Sequence, residues 1–297
     1  MDACERDWLA RRFEAGRPRL EAIAYRMLGS FAEAEDAVQE AWLRLNRAGA
    51  DGVENLDGWL TTVVGRVCLN QLRARRVRAR EGSGTPMPDP LVAPEAAQDP
   101  EQAVLLSESI GLALLVILDT LAPAERLAFV LHDMFELSFE EIGPLVGRSP
   151  TAARQLASRA RRRVRGAAPP APDPDVARQR EVIDAFFAAA RGGRFEALMA
   201  VLDPQVVLRS DGGSARPEAS LVLRGAEAVA RRVMQAAQPS STLHPVLVNG
   251  AAGVVAMLDG QPFSVMGFVV VAGRVVEINA FADPERLRAL DLTRLEP

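Results

Sequence analysis

Two proline-rich segments divide this 297-residue chain into three blocks, which predicts a multidomain protein. Residues 82–100 read GSGTPMPDPLVAPEAAQDP, and residues 166–175 read GAAPPAPDPD. Proline fixes φ and lacks an amide hydrogen, so such segments favour extended chain that is poor in regular structure. The pattern predicts domains at residues 1–81, 101–166 and 178–297, with linkers at residues 82–100 and 167–177.

The composition is that of an ordinary folded protein. Hydrophobic residues make up 48% of the chain and charged residues 25%, which predicts buried cores rather than disorder. Cys4 and Cys68 fit no ligand spacing and are expected as free thiols in a reducing cytosol. The N-terminus lacks the order of a signal peptide, and no apolar run is long enough to span a bilayer. We expect a soluble, cytoplasmic protein without a cofactor or a metal.

The first block reads as all helix, with an acidic face on one helix and a basic end on the next. Ala37, Ala41 and Leu45 recur at helical spacing. The outer face of their helix is acidic or polar at Glu35, Asp36, Gln39 and Glu40. The following helix, in LDGWLTTVVGRVCLNQLRARRVRAR, ends in a polar and basic run without an acid, which contains Asn70, Arg73, Arg75, Arg76, Arg78 and Arg80.

The second block contains the pattern of a helix-turn-helix in LSFEEIGPLVGRSPTAARQLASRARRR. Ser138 and Glu141 have the capping-box spacing for a short first helix. Gly147 suits a positive φ in the turn, and Ser149 followed by Pro150 can begin the second helix.

The second helix of this motif has the composition of a DNA reader. From Gly147 to Arg165 the chain has seven arginines and no acid, although its net charge is −4. In such a motif the start of the second helix meets base edges in the major groove, and nearby basic residues meet phosphates. The candidate contacts are Ser149, Thr151, Ala152, Arg154, Gln155, Ser158, Arg159 and Arg162. A helical hairpin with a solvated arginine face would show the same spacing, so spacing alone leaves DNA binding open.

The third block predicts an α+β fold. Amphipathic helices in RQREVIDAFFAAARGG, RFEALMAVL and RGAEAVARRVMQAAQ accompany a strand in QVVLRSDGG. Four further strands follow, joined by turns at Asn249–Gly250, Asp259–Gly260 and Ala272–Gly273. Helices followed by a curved antiparallel sheet predict a cone with a central pocket. The predicted fold class is multidomain, with two all-α domains before this α+β cone.

An enzyme of this shape would need acid–base groups in its pocket. The candidates are Asp211, His244 and Asp259. Both aspartates precede glycine, which turn formation explains, and His244 precedes a proline at a strand entry. We therefore predict no catalytic residue and no enzymatic activity.

The two helical blocks resemble a known protein family. AEDAVQEAWLRL (34–45), WLTTVVGRVCLNQLR (59–73) and residues 121–163 are similar to the second and fourth regions of bacterial sigma-70 family factors. The absence of other regions resembles the extracytoplasmic-function (ECF) group. The resemblance implies a factor that binds core RNA polymerase, through the clamp helices of the beta-prime subunit and the beta flap, and directs it to promoter DNA. The acidic face would meet the clamp helices, residues 70–80 the minus-ten element, and the helix-turn-helix the minus-thirty-five element.

The third block resembles the SnoaL-like, nuclear-transport-factor-like fold over about residues 178–290. A sigma factor fused to such a domain resembles the SigJ-like subgroup, which carries short motifs in its linker and tail. PMPDP (86–90) is similar to the linker motif Trp-Leu-Pro-Glu-Pro without its tryptophan, DGG (211–213) matches a second motif, and DPERL (283–287) is similar to Asn-Pro-Asp-Lys-Leu. The resemblance implies regulation in cis, with a pocket that can take a small-molecule ligand. The implied regulatory contacts are Pro88, Asp89, Pro90, Asp211, Gly212, Gly213, Asp283, Pro284 and Arg286.

Two other classes of protein fit parts of the sequence. A helix-turn-helix regulator with a ligand-binding domain would bind DNA without being a polymerase subunit, and it leaves AEDAVQEAWLRL unexplained. A SnoaL-type enzyme with a DNA-binding extension would turn over a small molecule. That enzyme would lose activity when Asp211 or His244 is changed to alanine.

Overall fold

The chain divides into two compact units. The computed structural model describes residues 3–48, 55–79, 87–95, 111–167, 172–237, 240–290 and 292. The first unit comprises Met1–Pro88 and Leu115–Ala167, and the second comprises Asp89–Leu114 and Ala168–Pro297. The first linker is therefore split, because the chain from Asp89 to Leu114 belongs with the C-terminal unit.

The described part of the first unit is helical, which confirms the all-α prediction for both N-terminal blocks. Its first region consists of α1 (Ala3–Leu28), α2 (Phe31–Ala48) and α3 (Leu56–Ala79). Its second region consists of α4 (Leu112–Asp119), α5 (Pro123–Phe129), a π-helical turn (Val130–Met134), α6 (Phe139–Val146) and α7 (Pro150–Ala167). The unit boundary at Leu115 falls within α4.

The apolar stripe of α2 faces the other two helices of its region. Ala37, Ala41 and Leu45 are fully buried, and α2 packs against both α1 and α3. Burial of a stripe at helical spacing is what stabilises an amphipathic helix in a small bundle. The opposite face of α2 is left to polar and acidic residues.

Local side-chain chemistry sets the ends of the helix-turn-helix. Ser138 Oγ accepts a hydrogen bond from the Glu141 amide at 3.3 Å, and Glu141 Oε2 accepts one from the Ser138 amide at 2.9 Å. Gly147 ends α6 in the left-handed conformation at φ 68°. Ser149 Oγ then accepts from the Ala152 amide at 3.3 Å, at the start of α7. These bonds confirm the predicted capping box, turn and second cap.

The second unit contains a seven-stranded sheet in the order β1-β4-β5-β6-β7-β2-β3. The strands are β1 (Val92–Pro94), β2 (Leu202–Asp211), β3 (Leu221–Arg224), β4 (Thr242–Val248), β5 (Ala251–Leu258), β6 (Gln261–Val271) and β7 (Arg274–Phe281). Its helices are α8 (Val176–Arg191), α9 (Phe195–Val201), α10 (Ala226–Ala236) and α11 (Pro284–Ala289), and Pro217–Ala219 form a 3₁₀ turn.

The predicted four-strand meander is confirmed, but the sheet is not wholly antiparallel. Asn249, Asp259 and Ala272 have φ of 49°, 50° and 50°, as two-residue hairpin turns require. β2 lies parallel to β7. The two strands are separated along the chain by β3, α10 and the strands β4 to β6, a connection long enough to join parallel strands. The α+β cone is thus built on a mixed sheet.

Two edge strands were not predicted. β3 is only four residues long, and β1 lies in the proline-rich linker. β1 pairs antiparallel with β4, with Val92 opposite Val248 and Pro94 opposite Val246. β1 is an edge strand, so it has a hydrogen-bonded neighbour on one side only. Proline, which has no amide hydrogen to donate, is tolerated at such an edge.

Candidate polymerase, DNA and regulatory sites

The acidic surface predicted on α2 lies on the exposed side of that helix. Glu35, Asp36 and Gln39 are exposed, and Glu40 is half-buried. Glu40 Oε1 accepts a hydrogen bond from Arg44 Nε at 2.8 Å. An i,i+4 pair that is this exposed contributes little to stability, so the carboxylate remains available to a partner.

Three of the residues predicted for the minus-ten element are exposed on α3. These are Asn70, Arg73 and Arg76. The side chain of Arg78 and all of Arg80 lie outside the described residues. The end of α3 therefore presents one amide and two cations within its described part.

Arg75 is engaged inside its own region. Its Nη1 donates to the Leu28 carbonyl at 2.7 Å, and its guanidinium pairs with Glu33. Only 20% of its side-chain surface is exposed. A guanidinium bound to a carboxylate and a carbonyl of its own fold has fewer donors left for a phosphate. This placement favours a structural role for Arg75 between α3 and the first two helices.

The helix-turn-helix exposes most of the residues predicted to read DNA. Ala152 is half-buried. Arg154 lies over the Phe139 ring at 5.3 Å from its centroid. The exposed candidates are Ser149, Thr151, Arg154, Gln155, Ser158, Arg159 and Arg162. The start of α7 is thus open to a partner such as a groove edge.

Three of the seven arginines in this stretch are neutralised by acids that precede the motif. Glu125 is 11% exposed in its side chain; it accepts from Arg159 Nε at 2.9 Å and from Arg163 Nη1 at 3.3 Å. Arg161 pairs with Asp133. The sequence between Gly147 and Arg165 contains no acid, so this neutralisation was not predicted from it.

The remaining positive charge is concentrated on fewer residues. The four unpaired members of the stretch are exposed, and none of them has an ion pair with a described residue: Arg148, Arg154, Arg162 and Arg165. Arg148 and Arg165 were not among the DNA contacts predicted from the sequence. Cations without an acidic partner contribute most to salt-dependent DNA affinity, so these four are the strongest phosphate candidates of the motif.

The two helical regions of the first unit pack against each other. Arg126 of α5 is 2% exposed, its Nε donates to the Arg26 carbonyl of α1 at 3.0 Å, and it pairs with Asp119. A Cβ added at Gly65 of α3 would lie 3.5 Å from Leu127. The absence of a side chain at position 65 lets α3 and α5 approach closely.

A buried thiol lies on the same helix. Cys68 of α3 is fully buried, and burial raises its pKa to about 12, an effect that the charge of Arg126 partly opposes. Such a thiol is almost wholly protonated at neutral pH and is inert while the packing persists. It confirms the expectation of a free thiol, and Cys4 has a side chain outside the described part.

Asp89, Asp211 and Arg286 form an ion-pair cluster, here called the linker clasp. Arg286 Nε donates to Asp89 Oδ1 at 3.0 Å, and Arg286 Nη1 lies 3.3 Å from Asp211 Oδ2. Arg286 also lies over the Phe281 ring at 4.5 Å. The side chains of Asp89 and Asp211 are only 12% and 13% exposed, so the charges are shielded from water and interact strongly.

The other residues of the tail and glycine motifs shape the loop and helix that present the clasp. Asp283 Oδ1 accepts from the Glu285 amide at 3.0 Å and so caps α11, which carries Arg286. Asp211 Oδ1 accepts from the Gly213 amide at 3.0 Å. Gly213 has φ 63°, and a Cβ there would overlap the Asp283 carboxylate. The Asp-Gly-Gly motif therefore needs glycine for a close approach.

The linker next to the clasp is a strand of the C-terminal sheet. The Leu91 amide donates to Asn249 Oδ1 at 3.1 Å, and the Asn249 amide donates to the Leu91 carbonyl at 2.8 Å. Glu95, after β1, accepts from Arg180 Nε at 3.2 Å. Residues 89–95 are thus fixed to the second unit at both ends. Pro88 and Pro90 are buried, Pro88 beside Gly29 in the first unit, and Pro284 begins α11.

A cavity of about 460 Å³ lies between the helices and the sheet of the second unit. Its apolar walls include Phe186, Phe187, Leu208, Leu243, Met266 and Ile278. Its polar margin includes Arg191, Ser210, Arg216, Glu218, Arg232 and Ser264. Sequence reasoning predicted a central pocket but none of these polar residues.

The three residues that the sequence offered for acid–base catalysis do not line this cavity. Asp211 belongs to the clasp, and Asp259 forms a hairpin turn at φ 50°. His244 alternates with Leu243, which does line the cavity, so His244 points to the other face of the sheet. The described residues contain no group of three or more His, Cys, Asp or Glu side chains that could bind a metal ion. No described helix has the length and apolarity needed to cross a membrane.

Two protein-family models and several known proteins match this chain. Residues 12–78 match the family model described as Sigma-70 region 2, and residues 111–164 match Sigma-70, region 4. Over 90% of its length the chain is 39% identical to a Mycobacterium tuberculosis protein, the "ECF RNA polymerase sigma factor SigJ", of which it covers 86%. Over 96% of its length it is 32% identical to the "Probable ECF RNA polymerase sigma factor SigI" of that species, of which it covers 97%.

One solved structure matches nearly the whole chain. The crystal structure of the Mycobacterium tuberculosis extracytoplasmic function sigma factor SigJ superposes with a TM-score of 0.73 at 33% sequence identity. The match covers 95% of this chain and 99% of that one. The similarity therefore extends through the helical regions, the linker and the C-terminal domain.

Proposed function

Because this chain belongs to the ECF group of sigma-70 family sigma factors, we propose that its C-terminal domain regulates initiation in cis by binding the linker between the sigma regions. As a sigma factor the chain binds core RNA polymerase and directs initiation at promoter DNA. It is not an enzyme, since the covalent chemistry of transcription belongs to the polymerase. The plain helix-turn-helix regulator is not favoured, because it leaves the match to region 2 without a role.

Each exposed surface of the first unit has a place in this function. The acidic face with Asp36 and Gln39 would meet the clamp helices of the beta-prime subunit, and the second region would meet the beta flap. Asn70 and the cations beside it would contact the minus-ten element. Gln155 and its neighbours on α7 would read the minus-thirty-five element, with Arg162 on a phosphate. The factor would act in the cytoplasm, where the polymerase transcribes.

The compact first unit is too small to contact both promoter elements at once. Elements centred about 25 base pairs apart are separated by roughly 85 Å along B-DNA. A compact unit of this length has a radius of gyration of about 14 Å, and so a diameter of about 37 Å. The packing of α3 on α5 must therefore open before both regions can engage a promoter.

The observation that carries the proposal is the attachment of residues 89–95 to the C-terminal sheet. These residues lie in the connection between α3 and α4, which is the tether that must extend when the regions separate. A segment that is paired with β4 and fixed by Arg286 adds no length to that tether. The clasp would thus restrain initiation, and its release would permit it.

The test compares full-length proteins in transcription from a candidate promoter, such as the factor's own, by core polymerase. Arg286→Gln removes the clasp cation. Arg288→Gln is the matched control, because Arg288 lies on the same helix, is exposed and has no ion pair with a described residue. We expect all three proteins to bind core polymerase equally and Arg286→Gln to give at least fivefold more transcript. Equal yields at equal core binding would rule out regulation by the clasp.

A further inference from the structure

The cavity of the second unit has the dimensions of a small-molecule site. Its volume of about 460 Å³ falls within the range of roughly 300–1,000 Å³ that is usual for such sites. Its wall combines the aromatic rings of Phe186 and Phe187 with aliphatic side chains such as Leu208 and Ile278. Such a wall offers few hydrogen bonds to water. An apolar molecule that enters the cavity removes its surface from water, which is favourable.

The charges at the margin of this cavity are unbalanced. Three arginines line it, and the single acid among its lining residues, Glu218, is exposed. Arg191 and Arg216 donate to backbone carbonyls, which do not neutralise a cation. Arg232 has no hydrogen bond or ion pair with a described residue and is half-buried. Half-buried guanidinium groups without an acid beside an apolar space attract an anion.

Arg216 connects the cavity to the linker clasp. Its Nη1 donates to the Ala282 carbonyl at 3.3 Å and to the Phe263 carbonyl at 3.2 Å. The Ala282 amide donates to the Asp211 carbonyl at 2.7 Å, and the Arg216 amide donates to the Gly212 carbonyl at 3.1 Å. A guanidinium that turns toward an anion in the cavity gives up the two carbonyls that it bridges. The loop that positions Asp211 then loses a support.

We propose that this cavity binds a small apolar molecule with one anionic group, and that its binding withdraws Arg216 from the loop and so weakens the linker clasp. The inference rests on the proposed function for its regulatory consequence, but the site itself does not. Arg232 and Arg216 would bind the anionic group, and the aromatic wall would bind the apolar body. Ligand binding and linker attachment would therefore oppose each other.

The site is tested with two fluorescent probes of nearly the same shape on full-length protein. 8-Anilinonaphthalene-1-sulfonate carries the anionic group, and N-phenyl-1-naphthylamine lacks it. We expect Arg232→Gln to weaken binding of the sulfonate about tenfold, as the loss of one charge-assisted contact does, and to leave the neutral probe unchanged. Arg231→Gln is the matched control, since Arg231 is the adjacent exposed residue and pairs with Glu227.

A second variant establishes that the probe binds inside the cavity. Ala280 lines it, so Ala280→Phe should fill part of the space and weaken binding of both probes. Each protein is checked for an unchanged circular dichroism spectrum. The proposal of the site is overturned if Ala280→Phe leaves binding intact, or if Arg232→Gln and Arg231→Gln affect the sulfonate equally.

The coupling is tested by breaking the clasp instead of the cavity. Coupling between two sites is reciprocal, so if the sulfonate weakens the clasp, a broken clasp should favour the sulfonate by the same factor. We therefore expect Asp89→Asn to tighten sulfonate binding three- to tenfold. Unchanged affinity in Asp89→Asn would overturn the coupling. This result is distinguishable from failure of the proposed function, in which Arg286→Gln leaves the transcript yield unchanged while Arg232 still determines probe affinity.

Discussion

Arg286 donates from Nε to Asp89 Oδ1 at 3.0 Å, although the two residues are 197 positions apart in the chain. The contact closes a loop that contains the whole second helical region. Its two partners belong to the same compact unit, and the strand that follows Asp89 pairs with β4 of the C-terminal sheet. Residues 89–95 of the linker are thus a structural part of the domain proposed to regulate this sigma factor.

The geometry of the Asp-Gly-Gly loop leads to the first prediction. Gly213→Ala places a Cβ against the Asp283 carboxylate and puts a non-glycine residue at φ 63°. The left-handed conformation alone costs roughly 1–2 kcal/mol. We expect the variant to loosen α11 and the clasp, which hydrogen exchange of residues 89–95 would report as protection lowered about tenfold. Gly193→Ala is the control, since Gly193 also has positive φ but open space around it. Equal effects on residues 89–95 from both variants would contradict this account.

The buried thiol provides a test of the opening that promoter binding requires. In a Cys4→Ser background, Cys68 is the only thiol, and its burial and raised pKa of about 12 should make it nearly unreactive at pH 8. Gly65→Leu should force α3 away from Leu127, because even a Cβ at position 65 would lie 3.5 Å from that side chain. We expect a disulfide reagent to label Cys68 about tenfold faster in Gly65→Leu than in the protein that keeps Gly65. This factor is consistent with the roughly 1–3 kcal/mol cost of overpacking.

Gly65→Ala is the matched control for this experiment. Alanine raises the helix propensity at this position, and its Cβ fits at ordinary van der Waals distance. Labelling of Cys68 should stay slow in this variant. Fast labelling of both variants, or of neither, would mean that the packing at Gly65 does not control access to the thiol.

The capping box of the helix-turn-helix gives a pH-dependent prediction. A hydrogen bond from the Ser138 side chain, then one from its backbone amide, lowers the pKa of Glu141 from 4.5. A carboxyl with a lowered pKa stabilises the fold above its unfolded pKa, and that contribution is lost as pH falls through the folded value. Ser138→Ala should cost about 1 kcal/mol at pH 7, seen as faster hydrogen exchange in α6, and the difference should narrow below pH 4.5.

Ser138→Thr retains the hydroxyl and should keep most of the protection. The contrary outcome is a difference in α6 hydrogen exchange between wild type and Ser138→Ala that is the same at pH 7 and pH 4. It would show that the hydrogen bonds to the ionised carboxylate of Glu141 are not the source of that difference.

Local features of this structure could be predicted from the sequence, and long-range ones could not. The hairpin turns at Asn249, Asp259 and Ala272 follow from the residue pairs that form them. Ser138 and Glu141 are three positions apart, so their capping box could be predicted from the sequence alone. These features depend on a few neighbouring residues and on no other part of the fold.

The charge state of the DNA-reading helix depends on distant residues. Arg159 and its partner Glu125 are 34 positions apart, and Arg161 and Asp133 are 28 apart, so the run of arginines alone overstated its available charge. The cavity residue Arg232 was not predicted for the same reason. Its surroundings depend on distant residues, because they are set by the pairing of strands from the whole C-terminal block. Asp89 and Arg286 were selected by family resemblance, since no spacing rule connects them.

The pairing of arginines on α7 yields the last prediction, which compares neighbours in sequence. Arg162 is exposed without an ion pair to a described residue, whereas Arg161 pairs with Asp133. For holoenzyme on a promoter duplex, each phosphate contact contributes about 0.9 to the slope of log affinity against log salt concentration. Arg162→Gln should therefore lower that slope by about 1 and weaken binding to all sequences alike. Arg161→Gln should leave the slope unchanged, since it removes a cation already neutralised by an acid. Equal slopes for the two variants would show that pairing within the fold does not decide which arginines meet the phosphates.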